Sequence, residues 1–172
     1  AFKYFLMMGV TLILNLLFYK LSIFLSDTFS QSSNFFLLKY NEAYRYAFPF
    51  QFGTLLFAFL TRLHIALIFA IINSLLVGYL FNSNFYLMFF SLIGGIAAIY
   101  GIKYYGKQRI TNTFRAGFFL VAPINIFIII SFHLIRERLG SVDFFASELV
   151  MGLLGGALSA ALAFLFLPIF EN

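Results

Sequence analysis

Apolar residues run along this chain in blocks of about twenty, separated by short polar intervals. Residues 4–25, YFLMMGVTLILNLLFYKLSIFL, form the first block. Lys20 near its end can reach an interface along its own aliphatic stem. Further blocks cover 62–81, 85–102, 114–135 and 146–170, divided by NSN at 82–84, a basic stretch after 102 and RERLGSVD at 136–143. A helix needs ~20 mostly apolar residues to cross a bilayer, so each block predicts a spanning α-helix. YAFPFQFGTLLFAFL, 46–60, is short for a crossing; it spans if extended to 45–62 and is otherwise a re-entrant or interfacial piece. The longest polar interval, 26–45, predicts a loop or a short interfacial helix. The expected fold class is therefore all-α, a polytopic integral membrane helix bundle of five or six spans.

Composition fixes the solvent. Of the 172 residues, 63% are hydrophobic and 10% charged, against roughly 25% charged in soluble domains. Too little polar surface remains to cover a globular core in water. The absence of cysteine excludes disulfides and thiolate metal sites. A net charge of +5 is no sign of nucleic-acid binding, because the cations sit at the ends of apolar blocks, where membrane topology places them. Lipid is the expected partner. The features of a cleaved signal peptide are missing and both ends look cut, so the chain is expected to be a segment of something longer.

Charge then orients the bundle. Lys103, Lys107, Arg109 and Arg115 are four of the eleven Lys/Arg and fall between two strong blocks. The positive-inside rule puts that loop in the cytoplasm. NSN and 136–143 are then outside, and the last helix brings Pro168 and Glu171 to the cytoplasmic face. The N-terminal half is not settled this way. A five-span count gathers Lys39 and Arg45 inside with the loop, whereas a six-span count is nearly balanced.

Candidate chemistry is sparse. His64 and His133 stand near block ends with no carboxylate or second His at ligand spacing. The carboxylates are scattered, although Glu148 falls early in the last span, where burial is costly and often functional. Asn15, Asn73 and Asn125 lie within spans and need partners on neighbouring helices. Pro123 in APIN removes a helix hydrogen bond and predicts a kink. Asn73, Pro123, Asn125 and Glu148 are thus a candidate polar or kinked site, with structural packing as the plainer reading. Rows of small residues, Gly94 and Ala98, then Gly152, Gly156 and Ala160, then Gly155, Ser159 and Ala163, allow close helix approach. No phosphate-cradling loop, nucleophile elbow or metalloprotease signature occurs.

Three stretches carry a resemblance: FPFQFGTLLFAFLTRLHIALIFAIINSLLVGYL (48–80), IGGIAAIYGIKYYGKQRITNTFRAGFFLVAPIN (93–125) and GGALSAALAFLFLPIFE (155–171). Together they resemble the membrane region of the bacterial seven-transmembrane HD-domain phosphohydrolases, the class that includes membrane-bound cyclic di-AMP phosphodiesterases. The resemblance implies the last six of seven spans, about 4–25, 45–62, 62–81, 85–102, 114–135 and 146–170. It further implies covalently attached extracytoplasmic and cytoplasmic domains, the latter a His-Asp hydrolase after residue 172 that holds divalent metal ions. No His-Asp pair occurs here, so no catalytic residue, metal ligand or cofactor site carries over. Arg115, Ala116, Gly117, Pro168 and Glu171 match the family pattern without an assigned role. The expected function is a sensor, transducer and anchor in the bacterial inner membrane, with self-association left open. The rival readings are the substrate-binding membrane component of a vitamin-type importer, with the polar residues as its site, and a cell-envelope scaffold.

Overall fold

The computed structural model describes residues 2–32, 34–35, 38–136 and 141–171. Within them the chain is helical. Helix α1 is Phe2–Ser32, followed by a 3-10 helix over Asn41–Ala47, α2 over Phe52–Leu60, α3 over Leu63–Leu80 and α4 over Phe85–Tyr105. Thr111–Ala116 is α5, and a π-helical turn, Gly117–Val121, joins it to α6, Ala122–Arg136. The last helix, α7, is Val142–Glu171 and runs through Pro168.

Five of these stretches are long and apolar enough to cross a membrane: Lys3–Ser32, Leu63–Leu80, Phe85–Tyr105, Thr111–Arg136 and Val142–Phe170. The chain is a multi-pass membrane protein. The first helix is longer than its apolar block because the polar residues beyond it satisfy themselves. Ser26, Thr28 and Ser32 donate their hydroxyls to carbonyls three or four residues back at 2.9, 2.8 and 2.8 Å, which keeps 26–32 helical instead of looped.

The segment 45–62 departs most from a simple span. Its α-helix has nine residues, about 14 Å at 1.5 Å per residue, under half of a ~30 Å hydrocarbon layer. Yet its two ends lie at opposite ends of the bundle. Asn41 and Arg45 line a cavity with Asp27 and Asn82, whereas Leu60 lines another with Lys3, Lys107 and Phe170. The 3-10 helix, the irregular Phe48–Gln51 and α2 therefore carry the chain from one end to the other. Such a broken path survives at membrane depth only inside protein. Accordingly, every residue from Phe52 to Phe59 is buried, and α2 packs on α3, α4 and α7.

Two turns follow directly from local chemistry. Asn82 and Ser83 both have φ of +59°, a conformation that Asn tolerates well. Asn84 then caps α4, its side chain accepting from the Tyr86 and Leu87 amides at 3.1 and 3.2 Å. At the far end Gly106, with φ of +82°, closes α4. Asn112 donates to the Tyr105 and Gly106 carbonyls at 2.8 and 3.2 Å, satisfying groups the helix end leaves over.

The π turn has its cause in Pro123, which lacks an N–H and whose ring crowds the carbonyl four residues back. The preceding turn widens: the Ala122 amide donates to Gly117 O, five residues away. Pro123 is absorbed there without ending the helix, and Asn125 is aimed inward.

Candidate functional site

Polar side chains from five of the long stretches and from the Phe48–Gln51 break meet close to the midpoints of the helices. Asn15 of α1 donates to Asn73 Oδ1 of α3 at 2.6 Å. Asn73 in turn donates to the Phe50 carbonyl at 2.9 Å and to Ser91 Oγ of α4 at 3.4 Å. Gln51 donates to Asn125 Oδ1 of α6 at 3.2 Å and accepts from Ser159 Oγ of α7 at 3.3 Å. Asn125 completes the set by donating to Gly152 O at 3.1 Å. Gln51, Asn73, Asn125 and Ser159 are each at most 1% exposed.

The break in the crossing explains this concentration. Where Phe48–Gln51 leaves helical geometry, backbone groups lose their intrahelical partners and need others in a medium without water. Asn73 serves the Phe50 carbonyl, and the Gln51 side chain fixes the turn against α6 and α7. These amides act as fasteners for the broken crossing. Among the described residues the Asn15 Oδ1 and Thr113 Oγ1 atoms are buried without a hydrogen bond.

Small residues let the backbones come close enough for these bonds to form. A Cβ added at Gly156 would lie 2.5 Å from Ala122 Cα and 2.7 Å from its Cβ. At Gly94 it would meet Gln51 Cγ and Cδ at 2.9 Å. At Gly155 it would strike the Tyr46 carbonyl, and at Gly152 the Ile129 side chain. Ala98, Ala160 and Ala163 are fully buried beside them. Gly117, which the sequence marks only as part of RAG, would meet Ala160 Cβ at 2.5 Å. The π turn and the α7 row are thus in contact.

Glu148 lies apart from this network, about two turns into α7. Its Oε2 is 3.1 Å from His133 Nε2, at ion-pair distance but off the line of a hydrogen bond. The other ring nitrogen, Nδ1, is 3.1 Å from the Ile129 carbonyl. Facing an acceptor, Nδ1 must carry the proton, so a neutral ring would present a lone pair to the carboxyl group. The contact ties α6 to α7. Arg136, on the same turn of α6, sits 3.3 Å over the Tyr86 ring.

Lys103, Lys107, Arg109 and Arg115 are all exposed at the opposite end. Lys107 Nζ donates to the Thr61 carbonyl where α2 gives way to α3. Partial burial there moves its pKa below the ordinary lysine value. Asn125 is therefore the Gln51 side chain's own partner and Asn73 fastens the adjoining Phe50 carbonyl, while Pro123 is exposed two residues before Asn125 and Glu148 and the basic loop lie apart. Sequence spacing could not find Gln51 or the His133–Glu148 contact, since both depend on tertiary approach; a polar residue beside FPF was the one available signal.

Among the described residues no three histidines, cysteines or carboxylates gather as a metal site. What the fold defines is a helical membrane domain with a broken central crossing and internally paired polar groups. The chain belongs to the family described as 7TM receptor with intracellular HD hydrolase, whose model matches residues 1–172. No curated protein and no solved structure matches it.

Proposed function

We propose that this domain is the sensor, transducer and anchor of an HD-type phosphohydrolase that cleaves cyclic di-AMP. It sits in the bacterial cytoplasmic membrane with α7 leading into the cytoplasm. The hydrolase, with its divalent metal ions, is attached beyond that helix. The observation that carries the reading is the membership of all 172 residues in a receptor family defined by an intracellular HD hydrolase. Two structural features support it. Phe170, near the end of α7, lines the same cavity as Lys107, so the positive-inside rule that orients the basic loop also sends α7 inward. The Gly152, Gly155 and Gly156 row seats α7 against α6 and the broken crossing, so a shift of these elements moves α7 as a body.

The importer reading draws on the broken helix, a feature transporters use at their substrate sites. Here, however, the amides of Gln51, Asn73 and Asn125 are all directed at protein partners. That favours a fastened crossing over a solute site.

The test is cyclic di-AMP hydrolysis by the full-length protein in native membranes with added manganese, in wild type and Gly156→Ala. Both forms are also compared with a flexible Gly/Ser linker spliced after Glu171. Hydrolysis is expected, with a rate that Gly156→Ala changes only in the directly joined protein. Absence of cyclic di-AMP hydrolysis would remove the substrate assignment; an equal effect of Gly156→Ala through the linker would remove transmission along α7.

A further inference from the structure

Between α1 and α7 the bundle is open sideways. Only 11% of the most apolar window of α1 is buried, against 39% for α7. The gap is a groove of about 550 Å³. Its walls are Leu21, Leu25 and Phe29 of α1 and Leu154 and Leu158 of α7, over a floor that includes Pro49. Each of those five wall residues is 38–50% exposed. In a membrane this is where an acyl chain lies.

The groove does not end in bulk lipid. At its Arg45 end it shares Ser22 and Tyr44 with a second, polar cavity of about 480 Å³. That cavity is lined by Asp27, Glu42 and Arg45. Glu42 and Arg45 are three apart on the 3-10 helix, so their side chains leave on one side. Among the described residues none of the three is in an ion pair; the pair found there is His133–Glu148. The Asp27 carboxylate accepts from Asn41 at 3.0 Å. A cation and two carboxylates thus share a space large enough for a small polar group without neutralising one another. Arginine matches a phosphate, and paired carboxylates match a primary ammonium.

We propose that the joined cavities bind a phospholipid whose headgroup links a phosphate to a primary amine. Its acyl chain lies between α1 and α7, its phosphate meets Arg45, and its ammonium sits between Asp27 and Glu42. Because the groove abuts Pro49, the occupant touches the irregular stretch of the broken crossing. The inference does not depend on the hydrolase reading, and its readout is binding alone.

The experiment is native mass spectrometry of the full-length protein in detergent with dioleoyl-phosphatidylethanolamine or dioleoyl-phosphatidylglycerol. The two share the phosphate and the chains and differ in the amine. Wild type is expected to bind the amine lipid about five-fold more tightly, the scale of an exposed charge pair or two. Asp27→Asn with Glu42→Gln should abolish that preference while leaving the phosphatidylglycerol affinity in place. Arg45→Gln should weaken both lipids, as should Leu158→Trp, which fills the groove. Equal binding of the two lipids by wild type would overturn the proposal without any variant. So would a preference that survives the double carboxylate change, or binding that Leu158→Trp leaves intact, since contact would then be that of ordinary boundary lipid.

Discussion

Replacing Gly156 by alanine probes the backbone contact that holds α7 against α6. The new methyl would lie 2.5, 2.7 and 2.8 Å from Ala122 Cα, Cβ and N, whereas carbon atoms rest at ~3.5–4.0 Å. The obstacle is backbone and Cβ, so no side-chain rotation relieves it, and α6 and α7 must separate by about 1 Å. Overpacking of this kind costs ~1–3 kcal/mol, and a rigid obstacle places it near the upper end. One turn earlier on α7, the Asn125–Gly152 bond of 3.1 Å would be lost too, adding about 0.6 kcal/mol for an interhelical bond in a membrane protein. Alanine returns about 1 kcal/mol of helix propensity. The net expected destabilisation is about 2–3 kcal/mol. Gly9 is the control: a Cβ there meets nothing within 4 Å, so Gly9→Ala should be neutral or stabilising by up to ~1 kcal/mol. Unfolding of the purified protein in graded dodecyl sulfate, followed by far-ultraviolet circular dichroism, measures both. If Gly156→Ala proved as stable as Gly9→Ala, the close approach of α6 and α7 would be wrong.

The fastening of the broken crossing is open to the same measurement. Asn73→Ala strips the Phe50 carbonyl and Asn15 of their partner and should cost about 1–3 kcal/mol, the penalty for unpaired buried polar groups. Gln51→Leu should cost less, about 0.6–1.7 kcal/mol, because Ser159 keeps its bond to Gly155 O at 2.8 Å and only Asn125 Oδ1 loses its donor. A reversed order would show that the network does not hold the turn. At the other site, Glu148→Ala should destabilise by about 1–3 kcal/mol, and Glu148→Gln by less, because its amide can donate to His133 Nε2. In a double-mutant cycle with His133→Ala the two effects should be non-additive; additivity would mean the side chains do not interact.

The long helices were readable because each apolar block is about as long as a membrane is thick, and nothing in water competes for it. Local chemistry also showed through: NSN marks a turn between two apolar blocks, and the small-residue rows mark close approach. Three features were hidden. Residues 26–32 look like a loop by polarity, but serine and threonine hydroxyls that bond back to their own helix let α1 continue. Pro123 announces a kink, yet the chain absorbs it as a π turn one step upstream, where Gly117 lies against Ala160. The crossing at 45–62 is apolar without being helical throughout, because its unpaired carbonyl is served by Asn73, twenty-three residues away. That pairing is visible only in three dimensions, as is the meeting of His133 with Glu148 across the α6–α7 connection.

The orientation of the bundle decides whether α7 can pass anything to an intracellular hydrolase, and the lack of cysteine in these 172 residues makes it directly measurable. Gln108 lies in the basic loop, and Val142, 81% exposed, lies at the other end of the bundle. Single cysteines at these positions are exposed to a membrane-impermeant maleimide added to intact cells. The account predicts labelling at 142 and protection at 108 until the cells are opened. Labelling at 108 with protection at 142 would contradict it.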